Sequence, residues 1–322
     1  MITSLTSLIL SLYRGSRDIP AMAFQDWALE QTRETLAFES AIWGRAGIEN
    51  GMAQIYSVHL HRLPPESLAS YARFRDRDTV GAMAMQAMGT TIRAAGHEVL
   101  ANDPEMLEQH VRRFGLDYSL TTCIVDPRTG LISFMTLFRP AQQTHFSEEE
   151  RIAAQSLTPH LIESCQQSRL MQLSAGGIAD SSSERRLAVC DTDFVLIAAR
   201  DGFADLLRRE WPEWNAPRLP ETARTKMQDS SKGIHTGEHI VLSFERISDL
   251  YWLSARAKTA IDTLGKRQLE IARLSAKGQT YKQIAATLEL APATVRNHLD
   301  AIYRKLGIGS RGELSTLVSR LD

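Results

Sequence analysis

The residues of this 322-residue chain best suited to recognition chemistry lie near its C-terminus, in "APATVRNHLDAIYRKLGI" at 291–308. Val295, Leu299, Ile302, Tyr303 and Leu306 recur at the spacing of one helix face, and Pro292 suits a first helical position. The opposite face near the start carries Thr294, Arg296, Asn297 and Asp300. An arginine can donate two hydrogen bonds to guanine and an asparagine can pair with adenine, and a helix N-terminus is where such groups reach base edges. One face is expected to pack and the other to read double-stranded DNA.

Such a helix needs neighbours to hold it. Upstream, Leu264, Ile271 and Leu274 open a first helix that ends at a "KGQT" corner with Gly278. "YKQIAATLEL" forms a second, with Ile284, Ala285 and Leu288 inward. Two short helices joined by a tight turn make a helix-turn-helix. The charge distribution agrees. From Leu264 onward there are ten basic and five acidic residues, a net +5, whereas the rest holds 27 basic and 33 acidic, a net −6. A basic module on an acidic body points to a polyanionic partner for one end only.

The run "GQTYKQIAATLELAPATVRNHLDAIYRKLGIGSRGEL" resembles the LuxR/NarL-type DNA-binding domain. The shared positions are Gly278, Lys282, Ile284, Ala285, Leu288, Thr294, Val295, His298, Ile302, Lys305 and Leu306, followed by Ser310, Arg311, Glu313 and Leu314. With the base-edge argument, the resemblance implies a DNA-binding set of Lys282, Thr294, Arg296, Asn297, His298 and Lys305. The two lysines are expected on phosphates and His298 in a packing and hydrogen-bonding role, while Arg304 reads as a surface charge. Three departures bear on specificity. Gly265–Gln268 replace the family's Thr-Pro-Arg-Glu opening, Ala291 stands where a serine cap is usual, and Asp300 occupies a position often basic in relatives.

The remainder reads as an α+β multidomain protein: sensory domains built on antiparallel sheets, then the all-α helix-turn-helix domain. Residues 1–172 show helix, two strands, helices, a strand–"PRTG"–strand signal and a long helix entered through "FSEEER", where Ser147 and Glu150 form a capping box. This order is similar to GAF-like sensory domains. Pro159 is expected to kink or break that long helix. Small polar residues at 173–184 read as a linker. In 185–256, "RLAVCD", "FVLIAA", "HIVLSFERI" and "LYWLSAR" read as strands around the helix "DGFADLLRREW", an arrangement that resembles a PAS-like domain. The DNA-binding domain then spans 260–322. A phosphoacceptor receiver lacks its ordered acidic residues here. The acyl-homoserine-lactone type is disfavoured because Trp43 has no tyrosine four residues on.

Composition supports a soluble globular chain, 43% hydrophobic and 23% charged. Cys123, Cys165 and Cys190 form no paired motif, so neither a disulfide framework nor a zinc site is expected, and a cytoplasmic setting follows. At the N-terminus, Leu5, Leu8, Ile9 and Leu12 repeat at helical spacing and read as a packing helix, with neither signal peptide nor membrane span. His59 and His61 lie two apart on one strand face; such a pair can bind a metal, but two exposed histidines are the commoner case and the reading adopted. Without a nucleophile elbow, phosphate-cradling loop, HExxH or haem or flavin motif, no catalytic activity, cofactor or metal is expected. The expected function is transcriptional regulation through DNA, gated by a small effector or a partner at the front end. The alternative is a constitutive regulator whose front domains serve only dimerisation or protein contacts. A homodimer is expected, with the apolar stripe in 146–172 and the helix 312–321 as its contacts, and RNA polymerase is a candidate further partner.

Overall fold

A computed structural model describes residues 2–49, 52–175, 185–215, 217–247 and 249–319. Most of the expected linker, 176–184, lies outside them, as do 320–322 at the end of the expected dimer helix.

The first unit opens with α1 (Ile2–Asp18) and α2 (Ala21–Arg33), then the hairpin β1 (Ser40–Glu49) and β2 (Met52–His61). α3 (Glu66–Ala72), α4 (Thr79–Gln86), β3 (Thr91–Ala95), α5 (Gly96–Val99) and α6 (Pro104–Met106) follow. Asp103 caps α6 as its sequence suggests, accepting from the Met106 N–H at 3.1 Å, but the chain then widens into a π-helical turn over Leu107–Arg112. β4 (Tyr118–Val125), β5 (Ile132–Arg139) and α7 (Glu148–Ala175) complete the unit. The Ser147–Glu150 capping box is present, with Ser147 N–H donating to Glu150 at 2.7 Å. α7 runs unbroken through Pro159 and past residue 172.

The five strands form one antiparallel sheet in the order β2-β1-β5-β4-β3. Alternation along each strand supplies two buried faces. Ala41, Trp43, Leu120, Met135 and Leu137 face α1, α2 and α7, where they meet Leu12, Phe24, Leu29, Leu157 and Leu161. Ile42, Phe134 and Phe138 point the other way, towards a second layer with Phe74, Leu100, Met106 and Ala84. The stripe on α7 therefore fills the chain's own core: Leu157, Leu161, Ile162 and Cys165 are buried, and of the expected dimer stripe only Ile152 is exposed.

The second unit contains β6 (Arg186–Asp191), β7 (Leu196–Ala199), α8 (Phe203–Glu210), α9 (Glu221–Gln228), β8 (Lys232–Thr236), β9 (Ile240–Ile247) and β10 (Leu250–Ala257). Its sheet order is β7-β6-β10-β9-β8. Numbered within each unit, both sheets read 2-1-5-4-3. One face of this sheet packs on α8 and α9 through Leu196, Phe203, Leu207, Leu242 and Leu253. The other presents Val189, Ile197 and Trp252 to Leu170 on α7. α7 thus lies against both sheets.

One expectation about a side chain fails. His61 is not exposed beside His59 but only 3% accessible, because α2 packs over β2 and covers it. No helix of the described residues is long and apolar enough to cross a membrane.

Candidate nucleic-acid interface

α10 (Lys266–Ala276), α11 (Tyr281–Thr287), α12 (Pro292–Leu306) and α13 (Arg311–Ser319) enclose a separate core. Ile261, Ile271, Ile284, Val295, Ile302 and Leu314 are fully buried there, and the cluster draws only on residues 261–318. Leu314 and Val318 on α13 belong to it, so the apolar side of that helix, too, is used within the chain.

Local chemistry sets each helix. At α11, Thr280 and Gln283 form a reciprocal cap: Thr280 N–H donates to Gln283 Oε1 at 2.8 Å, and Gln283 N–H to the Thr280 hydroxyl at 3.4 Å. The corner before it uses Gly278 at φ +98°, a conformation that excludes most side chains. α11 closes through Glu289 at φ +53°, with Leu290 N–H donating to the Ala285 carbonyl at 2.9 Å. α12 starts at Pro292 with no side-chain cap from Ala291. At α10 the departure from the family pattern is harmless, since Gln268 still accepts from the Gly265 N–H at 3.3 Å.

The α12 register divides the predicted residues. With Val295 and Ile302 buried, a turn of about 100° per residue directs Ala293, Arg296, Asn297, Asp300 and Arg304 outward, and all five are exposed. Thr294 and His298 are half-buried on one flank, which they share with Lys305. Arg296 lies on the other flank, its guanidinium 4.9 Å from the centre of the Tyr281 ring, a cation–π contact that orients it from α11. Lys282, next to that tyrosine, is exposed on α11. Lys305 sits nine residues beyond Arg296, about 14 Å along the axis. Its ammonium donates to the Thr263 carbonyl, fastening the end of α12 to the turn that precedes α10.

The six predicted residues are therefore not one patch. Arg296 and Asn297 share an outward surface with Asp300 and Arg304, while Thr294, His298 and Lys305 border it. Tyr281 was missed because aromatic support from a neighbouring helix has no signature in the spacing of α12. The 296/300/304 recurrence was readable as a stripe and marks Arg304 as one of its members. The basic surplus also needs discounting. Arg267 donates to the Leu288 carbonyl at 2.7 Å and Arg311 to the Ser275 carbonyl at 2.8 Å, so both serve as internal ties.

Four helices around one core, with a tight α11–α12 corner and an exposed polar stripe on α12, define a helix-turn-helix domain. Residues 262–318 match the family described as "Bacterial regulatory proteins, luxR family". The C-terminal unit is a luxR-family helix-turn-helix domain.

A 63-residue stretch is 40% identical to an HTH-type transcriptional regulator from the exeN 3′ region of Aeromonas salmonicida, covering 20% of this chain and 32% of that protein. A 56-residue stretch is 39% identical to the probable transcriptional regulatory protein NarL of Mycobacterium tuberculosis, covering 17% and 26%. The chain thus spans about a third or less of the length of the curated relatives it matches. Among solved structures, Escherichia coli SdiA aligns over 98% of this chain and 97% of its own at 11% identity and a TM-score of 0.41. CepR2 of Burkholderia cenocepacia, described as an N-acylhomoserine-lactone-dependent LuxR-family factor, aligns over 54% and 99% at 15% identity and 0.40.

Proposed function

We propose that this chain is a sequence-specific, DNA-binding transcriptional regulator that acts in the cytoplasm as a homodimer. The observation that carries the proposal is the exposed Arg296–Asn297–Asp300–Arg304 stripe on the second helix of a luxR-family helix-turn-helix. Arg296 and Asn297 read base edges, and Lys282 contacts a phosphate; Thr294, His298 and Lys305 line the border of the contact. Asp300 suits a cytosine amino group and disfavours a phosphate. RNA polymerase remains the candidate further partner.

The two front units are read as GAF-like and PAS-like sensory domains, gated by a small effector or a partner. Both are five-stranded antiparallel sheets with helices on at least one face. The constitutive alternative is favoured by one packing detail. Phe134 lies over Gly44 on the adjacent strand, so close that a Cβ at Gly44 would come within 2.1 Å of the ring. That ring helps fill the space between the sheet and its second layer, beside Ala84, Cys123 and Ile132. Light scattering with and without DNA tests the dimer, and a monomer at micromolar concentration in both states contradicts it.

The phosphate assignment has its own test. Lys282→Ala is expected to weaken binding about equally across DNA sequences and to lower the magnitude of the salt slope by about 1. An unchanged slope with an altered sequence preference would refute it.

A further inference from the structure

We propose that Asp26, His59 and His61 bind a divalent transition-metal ion, with Zn²⁺ the best match. α2 contributes Asp26, and β2 contributes the histidines two residues apart, hence on one strand face. Asp26 Oδ1 lies 3.0 Å from His59 Nε2 and 3.1 Å from His61 Nδ1. The three ligating atoms all lie within 4.8 Å of one another. Zinc takes imidazole nitrogen and carboxylate oxygen at about 2.0–2.2 Å, which sets neighbouring tetrahedral ligand atoms about 3.3 Å apart. Two of the three edges are already close to that length. Two imidazoles and one carboxylate favour zinc and its transition-metal neighbours over calcium or magnesium, which take oxygen.

The surroundings are those of a ligating histidine. His61 is 3% accessible, and its Nε2 has no hydrogen-bond partner. Glu30 Oε1 stands 3.2 Å from that nitrogen, off hydrogen-bond alignment. Glu30 is itself held by Arg33 at 3.2 Å and by Arg62 at 2.9 Å. A carboxylate behind the far nitrogen is the usual device for orienting a metal-bound imidazole and fixing its tautomer. In this arrangement His61 offers Nδ1 to the ion and turns Nε2–H towards Glu30. The Asp26 side chain is 60% exposed, which leaves a path for the ion and a fourth position for water. A bound ion would fasten α2 to β2, the edge strand of the first sheet. The sequence shows the two histidines on one strand face but not the third ligand, because Asp26 lies more than thirty residues upstream on α2.

The inference does not rest on the DNA-binding reading. It is tested by calorimetric titration of Zn²⁺ into the full chain after stripping with a chelator, paired with thermal melts. The expected result is one equivalent per chain, at least tenfold weaker in His59→Ala and Asp26→Asn, and weakened to a smaller degree in Glu30→Gln. Saturating Zn²⁺ should raise the melting temperature of the wild type but not of His59→Ala. His59 is part-exposed, so that variant tests binding without emptying the core; the buried His61 is left intact. Absence of binding, or equal stoichiometry and affinity in wild type and His59→Ala, overturns the proposal.

Discussion

The two sheet units share one strand order and use it differently. The first sheet is covered on both faces by helices of its own unit. The second has helices on one face and closes the other with Val189, Ile197 and Trp252 against α7 of the first unit. Identical topology therefore does not make the units equivalent. The larger is self-sufficient, whereas the smaller borrows a helix for one face and is tied to the DNA-binding domain at its end.

The largest effect is expected where the second unit depends on its own helices. Phe203 opens α8 and is fully buried in the core between that helix and the sheet, and Phe203→Ala should cost about 3–5 kcal/mol in urea unfolding. Ile197→Ala, on the α7 side, should cost about 2 kcal/mol and split the calorimetric transition in two. One cooperative transition after Ile197→Ala would mean that the Ile197 contact is not what couples the units.

The tie to the C-terminal domain comes next. Arg256 at the end of β10 donates to both carboxylate oxygens of Asp262, at 2.7 and 2.5 Å, and both side chains are nearly buried. Asp262→Ala leaves that guanidinium unpaired, at a cost of about 3 kcal/mol. Burial pushes the Asp262 carboxyl up, but hydrogen bonds from Arg256 and Thr259 outweigh it and hold the group below the usual carboxylate range. Its unfolded value is about 3.9, so the folded state binds fewer protons near that pH. The stabilisation is present above about pH 4 and is lost as pH falls through the folded value. Acid unfolding of wild type and Asp262→Asn should converge below that window; a constant gap between them would show that the pair is not the titrating element.

A smaller contrast compares the same device in both sheets. Phe134 covers Gly44 between the inner strands β1 and β5, and Phe244 faces Gly233 across β8 and β9, at the edge. Overpacking should make Gly44→Ala cost about 1–3 kcal/mol, and Gly233→Ala less, because an edge strand can shift. Equal losses would show that the edge is as rigid as the interior.

Sequence patterns revealed four strands of each sheet and missed the same one in both. β3, "TIRAA", and β8, "KGIHT", are edge strands paired on one side only. Such strands need little apolar alternation, and Arg93, Lys232 and His235 erase what there is. Without the third strand, the shared 2-1-5-4-3 order could not be read. α9 was missed for a related reason, since only Ala223 and Met227 of its eight residues are buried. The DNA-binding domain was legible because its packing residues lie close together along the chain. What its sequence concealed was lateral: Tyr281 under Arg296, and Lys305 turned to the Thr263 carbonyl.

The central claim is that α12 reads sequence through Arg296 and Asn297, and binding-site selection on wild type, Arg296→Ala and Asn297→Ala at one salt concentration tests it most directly. Each good base contact is worth about 1–3 kcal/mol of discrimination. Each variant should therefore lose preference at one or two operator positions while keeping its fold and non-specific affinity. Identical sequence preferences for all three proteins would contradict the account.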